Sequence, residues 1–256
     1  MSNQPAHPTL LIPGPIEFDD AVLQSMSHYS ESHVGAPFVA VFGETLSMLR
    51  KLFQSTDPAS QPLVISGSGT LGWDLVAANL AEPGDEVLVL HTGYFADSGR
   101  AIESFKARKT PPGSYFASFK NWLPIMQNYE AKKPSYFATP SPQLIHALHT
   151  SLTQILSIPL SERFAKHKAT SQKIKKAANG MTAIYLPENV KAPELLPNLL
   201  KKGVIFAGGL HKEIATKYIR VGHMGVSVMD EGRGDVEKAV EALGVGLREA
   251  GYERKE

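Results

Sequence analysis

Cysteine is absent from the 256 residues, which excludes disulfides and thiolate chemistry and allows a reducing compartment without requiring one. No apolar run approaches the roughly 18 residues needed to span a bilayer. An excess of either charge is missing too. Lysine plus arginine number 26 against 25 acidic residues, a formal net charge of +1, so nothing electrostatic points to nucleic acid or an acidic membrane as a partner. Residues 1–8 have neither a basic n-region nor an apolar h-region, and the final Arg254-Lys255-Glu256 is not a peroxisomal tripeptide. The expectation is a soluble, cytoplasmic protein, with peroxisome or mitochondrion left open. What is present is ordinary globular composition, 43% hydrophobic and 20% charged, at a length suited to one large domain or two modest ones.

Along the chain, residues 1–20 read as an extended arm with a turn at Pro13-Gly14-Pro15. Helical apolar spacing runs from Ala21 to about Ser55, carried by Val39, Val41, Phe42, Leu46, Leu49 and Phe53. Leu63-Val64-Ile65 predicts a short buried strand, Thr70 to Ala81 a helix closed by Pro83-Gly84, Glu86 to Leu90 a second strand and Phe95 to Phe105 a second helix. That order opens a parallel α/β sheet. The alternation then stops: after a basic, proline-bearing stretch at 106–113 comes a segment from Tyr115 to Ile125 and a long helix at Gln143 to Leu156. A lysine-rich helix follows from about Leu160, then a strand at Thr182 to Leu186, a helix around Leu195 to Lys202, strands at Val204 to Phe206 and Tyr218 to Val221, and a last helix at Asp235 to Glu249. The division expected is a truncated large domain over 1–148 and a smaller α+β domain over 149–256.

The glycines of Gly67-Ser68-Gly69-Thr70-Leu71-Gly72 stand between a strand and a helix, where backbone N–H groups can approach a phosphate at a helix N-terminus. A dinucleotide site would need an acid at the end of the second strand. Asp85 and Glu86 stand at the beginning of that strand instead, and His91-Thr92 follow its end, so the dinucleotide reading fails. Ser68 and Thr70 add hydroxyls that suit a single phosphomonoester; a tight packing turn is the alternative. His146 and His149 lie one helical turn apart, but with no third ligand at a suitable spacing they read as helix surface, and no metal is expected. Arg233-Gly234-Asp235 reads as a turn with Asp235 capping the last helix. The lysine-rich stretch lacks interleaved aromatics and reads as a solvated helix face.

Five segments in order carry a resemblance: Leu10-Leu11-Ile12-Pro13-Gly14-Pro15; Ser66 through Asp74; Thr92-Gly93-Tyr94-Phe95; Tyr136-Phe137-Ala138-Thr139-Pro140; and Ala207-Gly208-Gly209-Leu210 with Lys217-Tyr218-Ile219-Arg220-Val221-Gly222-His223-Met224-Gly225. Together they resemble the class V, fold-type I pyridoxal-phosphate aminotransferases, in particular the alanine–glyoxylate and serine–pyruvate group. The resemblance implies an α/β large domain, a small C-terminal domain, a homodimer, pyridoxal 5′-phosphate as cofactor, and amino transfer from alanine or serine to glyoxylate or pyruvate. It implies that Ser68, Gly69 and Thr70 cradle the cofactor phosphate and that Phe95 stacks on the pyridine. It further implies that Tyr136 and Thr139 reach the phosphate from the neighbouring subunit, and that Arg220 grips the substrate carboxylate, a task suited to a bidentate fork. His223, beside Arg220, is placed near the substrate entrance.

The same resemblance exposes an absence. Transamination needs a lysine amine to hold the cofactor and move a proton, and an aspartate facing the pyridine nitrogen. In the family both lie mid-way along the large domain. Only 41 positions separate Phe95 from Tyr136 here, and the family needs about a hundred more. The seam falls near Ser104 to Lys109. Ser171-Gln172-Lys173 imitates the family's lysine motif but continues Ile174-Lys175-Lys176 and lies in the small domain, so it reads as helix surface. Lys106, Lys109 and Lys120 are no better placed. The sequence therefore predicts no Schiff-base lysine, a sheet missing its central strands and broken or rearranged, and a chain impaired or inactive alone. The alternative is a non-catalytic remnant or shortened variant that pairs with an intact aminotransferase subunit, Tyr136 and Thr139 completing the partner's site.

Overall fold

The computed structural model describes residues 4–82, 84–85, 109–174 and 178–252. The expected strand Glu86–Leu90, the helix from Phe95 to Phe105 and Phe95 itself lie outside the described residues. The chain divides into two compact units, one formed by residues 21–157 and the other by residues 1–20 with 158–256.

The first unit is helical in its described part. α1 spans Asp20–Ser25, α2 Ala36–Leu52, α3 Leu71–Leu80, α4 Phe119–Glu130 and α5 Pro142–Leu156. The single helix expected from Ala21 to about Ser55 is thus two, parted by residues 26–35. That stretch is mostly polar, and Gly35 and Pro37 open the second helix, proline being tolerated in a first turn whose N–H groups have no helical acceptor. Phe38, Val39, Phe42 and Leu46 of α2 close a core with Trp122, Ile125, Met126 and Tyr129 of α4 and Ile145 of α5. Burying each large side chain contributes about 1.5–3 kcal/mol. Gly43 permits the close crossing, because a Cβ there would run into the carbonyl oxygen of Tyr129. The Arg50 guanidinium grips Glu130 with two hydrogen bonds, 2.8 and 3.0 Å, and the pairing holds the Glu130 carboxyl below its usual range despite opposing burial.

Leu63-Val64-Ile65, expected as a strand, forms none, and no strand occurs among the described residues of this unit. The three side chains stay partly buried against the α2–α4 core. A strand requires a ladder for its N–H and C=O groups, and hydrophobic content alone does not supply one.

The second unit is α+β. β1 (Thr9–Leu10) of the N-terminal arm pairs in parallel with β3 (Val204–Ile205). β2 (Met181–Tyr185), β5 (Tyr218–Gly222) and β4 (Ala207–Gly208) form a three-stranded antiparallel sheet with β5 in the centre. Helices α6 (Leu160–Ile174), α7 (Ala192–Lys201), the short α8 (Val226–Met229) and α9 (Asp235–Glu249) complete it. Leu11, Leu195, Leu199, Val204, Ile219 and Val221 are the centre of its core. The arm is stitched in by Thr9 N–H to the Gly203 carbonyl, Leu11 N–H to Ile205 and Gly222 N–H to Leu11, at 2.8–3.0 Å. Its buried Glu17 carboxylate accepts from the Leu10 N–H at 2.8 Å and faces Arg233 at 3.5 Å. Asp235 is not the cap of α9. Gly234, at φ 62°, takes that place, and the buried Asp235 carboxylate accepts from Arg233 Nε at 2.8 Å.

Candidate functional site

The glycine loop lies at the N-terminus of α3, and its position depends on Asn79 at the other end of that helix. Asn79 is fully buried; its Nδ2 donates to the Ala117 carbonyl at 2.5 Å and to Leu75 at 2.7 Å, while its Oδ1 accepts from the Phe119 N–H at 2.7 Å. One amide therefore locks α3 to the first turn of α4. Nothing in the sequence pattern singled it out, since its role comes from contacts 38 and 40 residues away.

Within the loop, Leu71 N–H bonds to the Ser68 carbonyl, Gly72 to Gly69 and Trp73 to Thr70, so the chain turns directly into the helix. The N–H groups of Ser68, Gly69 and Thr70 have no acceptor among the described residues. Ser68 Oγ and Thr70 Oγ1 lie 2.7 Å apart on the exposed face. Space in front of Gly69 is open, with no atom within 4 Å of where a Cβ would stand. Open backbone donors, two hydroxyls and the positive end of a helix fit a phosphomonoester.

Tyr136 and Thr139 are both exposed, Tyr136 at 77%, and neither side chain makes a hydrogen bond among the described residues. The Tyr136 ring is 5.3 Å from that of His33. Arg220 sits mid-sheet on β5, opposite Ala183 and Ala207. Its Nε donates to the Gly208 carbonyl at 2.8 Å, and no carboxylate lies within ion-pair range among the described residues. The guanidinium is thereby oriented through Nε. The Tyr218 hydroxyl supports the same turn, accepting from Leu210 and His211 N–H at 2.8 and 3.1 Å; these bonds, that from His211 first, draw its pKa down. Tyr218 was within the resembling segment but carried no assigned role, because its hydroxyl acts on backbone that the sequence does not place.

His223 departs from expectation. It is fully buried, its Nε2 2.9 Å from Thr182 Oγ1 and its Nδ1 without a hydrogen-bond partner, so it lines no entrance. Lys173 is an exposed side chain of α6 whose Nζ is 3.9 Å from Glu237. Lys109 and Lys120 are exposed as well, and Lys106 lies outside the described residues. His146 does have partners at hand: Glu31 Oε1 is 2.5 Å from its Nε2, and the His28 ring stacks on it at 3.8 Å, whereas His149 pairs with Glu44 at 3.0 Å.

No protein-family profile matches the chain. Among curated proteins it is similar to alanine–glyoxylate aminotransferase 1 of Saccharomyces cerevisiae, 28% identical over 362 positions that take in 87% of this chain and 93% of that protein. It is 37% identical to the (S)-ureidoglycine–glyoxylate transaminase of Bacillus subtilis over 87 residues, 34% of this chain and 20% of the relative. Among solved structures, an alanine–glyoxylate aminotransferase from Nostoc sp. superposes with a TM-score of 0.80 at 19% identity, covering 96% of each chain. The Bacillus subtilis ureidoglycine–glyoxylate aminotransferase gives 0.78 at 17%, covering 98% and 96%. The fold is the α/β fold of these aminotransferases. The homologues and structural neighbours of this chain are alanine–glyoxylate, serine–glyoxylate and related class V aminotransferases. The yeast match spans 362 positions against a chain of 256 residues, so more than a hundred of those positions have no residue here. No helix among the described residues is long and apolar enough to cross a membrane.

Proposed function

We propose that this chain is an alanine–glyoxylate or serine–pyruvate type aminotransferase that keeps the binding groups of its site and lacks the covalent lysine, so that it is inactive alone. The observation that carries the reading is the loop at 68–70, with its open N–H donors and paired hydroxyls at the start of α3. Pyridoxal phosphate, when bound, supplies an electron sink for the substrate's Cα carbanion. Ser68, Gly69 and Thr70 hold its phosphate. Arg220, oriented through Gly208, takes the carboxylate of alanine, serine or the 2-oxo acid. Phe95 is assigned the ring stack by resemblance. The missing positions fall between Phe95 and Tyr136 in this reading, and they take the amine that moves the proton with them.

Exposed Tyr136 and Thr139, with no hydrogen bonds of their own, favour a second step of the same reading: the chain dimerises, and these residues complete the phosphate site of a partner, an intact subunit included.

Equilibrium titration of the purified chain with pyridoxal phosphate tests the assignment. Saturable binding, competed by inorganic phosphate and weakened about tenfold or more in Ser68→Ala/Thr70→Ala, is the expected result. Binding unaffected by that double change sinks the cradle. Borohydride reduction followed by peptide mapping is expected to leave no lysine stoichiometrically labelled. One fully labelled lysine together with glyoxylate-dependent loss of alanine refutes the proposed inactivity.

A further inference from the structure

The segment between α1 and α2 and the second turn of α5 bring three donors together. His28 and Glu31 come from the segment, His146 from the helix 115 residues beyond Glu31. One ligand atom from each lies within 4.8 Å of the other two. Glu31 Oε1 is 2.5 Å from His146 Nε2 and 3.6 Å from His28 Nδ1, with all three side chains at least three-quarters buried. The imidazole rings stack at 3.8 Å and 16°. Neither lysine nor arginine neutralises Glu31 among the described residues.

We propose that His28, Glu31 and His146 form a site for one divalent transition metal ion of the zinc type, with water as the remaining ligand. Two imidazole nitrogens and one carboxylate oxygen are the donor set that such borderline cations take. Ligand atoms around a tetrahedral ion at about 2.0–2.1 Å stand about 3.4 Å apart, a spacing that donor atoms already within 4.8 Å of one another reach by small side-chain movements. Binding opens the Glu31–His146 contact from 2.5 Å to about that spacing and splays the stacked rings so that both lone pairs aim at the ion. The outer contacts are in place. His28 Nδ1 lies 2.9 Å from the Tyr29 carbonyl, an arrangement that fixes the tautomer of a ligating ring, and the Gln143 side chain donates to the His28 carbonyl at 3.4 Å. The ion would pin residues 26–35 to α5. His149, one turn along the same helix, is outside the set because it pairs with Glu44.

The chain stripped with a chelator and titrated with zinc ion, then with cobalt ion as a visible reporter, decides the matter. The expected result is one equivalent bound per chain, a cobalt spectrum of tetrahedral intensity, and a rise in thermal midpoint with added zinc. Affinity should fall about tenfold or more in Glu31→Gln and in His146→Ala and stay unchanged in His149→Ala. Glu31→Gln keeps an acceptor for His146, so loss of metal there is separable from misfolding, and circular dichroism verifies the fold of each variant. No saturable uptake by the unaltered chain, or uptake that survives both substitutions, overturns the site.

Discussion

His223 shows what a buried titratable group does to stability. Burial pushes its pKa down from the ordinary 6.5, and the neighbouring charge of His167 acts in the same direction. The imidazole is therefore neutral in the fold, bonded to Thr182, while the unfolded chain takes up a proton near 6.5. A lowered folded-state pKa means that the stabilisation is complete above about pH 6.5 and declines as the pH falls toward the folded value, below which both forms are protonated. Urea midpoints measured across this range should drop on acidification, and His223→Gln, which keeps a partner for Thr182, should flatten that dependence. His7 works oppositely: its pKa is raised, first by the Pro5 carbonyl and then by Glu17, so the comparison of variant with wild type isolates His223. An unchanged slope in the variant would show that His223 does not titrate as its burial requires.

At the scale of elements, α2 and α4 meet where Gly43 faces the Tyr129 carbonyl, and two effects compete at that position. Alanine is a better helix former than glycine by about 1 kcal/mol. Its methyl group would collide with a backbone oxygen that cannot rotate away, a kind of overpacking that costs about 1–3 kcal/mol, and at a backbone contact the upper part of that range applies. Net destabilisation of about 1–2 kcal/mol in Gly43→Ala is the expected outcome by denaturant unfolding; a stabilised variant would mean the two helices cross further apart. The same element pair shows why helical patterning was readable. Phe38, Phe42 and Leu46 repeat at the helical period, so the face of α2 was legible, whereas its beginning at Ala36 depended on Gly35 and Pro37 rather than on hydrophobic spacing. The final helix was read to its observed bounds, Asp235–Glu249, but its cap was not, because Asp235 turned its carboxylate to Arg233.

For the whole molecule the consequential feature is a helical unit with no strand among its described residues, carried by a chain whose relatives span more than a hundred further positions. Leu63, Val64 and Ile65 have the composition of a buried strand and pack on the core, yet they carry no ladder. Their amides should exchange with solvent far faster than those of α2 and α4 in a hydrogen-exchange experiment on the monomer. Strong protection of all three would show that a native-like sheet has re-formed around them.

The sequence by itself carried the resemblance to the class V aminotransferases, the glycine turn ahead of α3 and the order of most helices and strands, because these reside in local patterns: glycines before a helix, apolar residues at a fixed period, short motifs in a fixed order. Tertiary structure alone decided that Asn79 anchors the loop helix, that Tyr218 steadies the turn beside Arg220, that His223 is interior, and that Glu31 and His28 stand beside His146. Each of those depends on residues far apart in the chain coming within hydrogen-bond reach. Strand formation at 63–65 was decided the same way: a helix closes its hydrogen bonds within its own segment, and a strand closes them only against another.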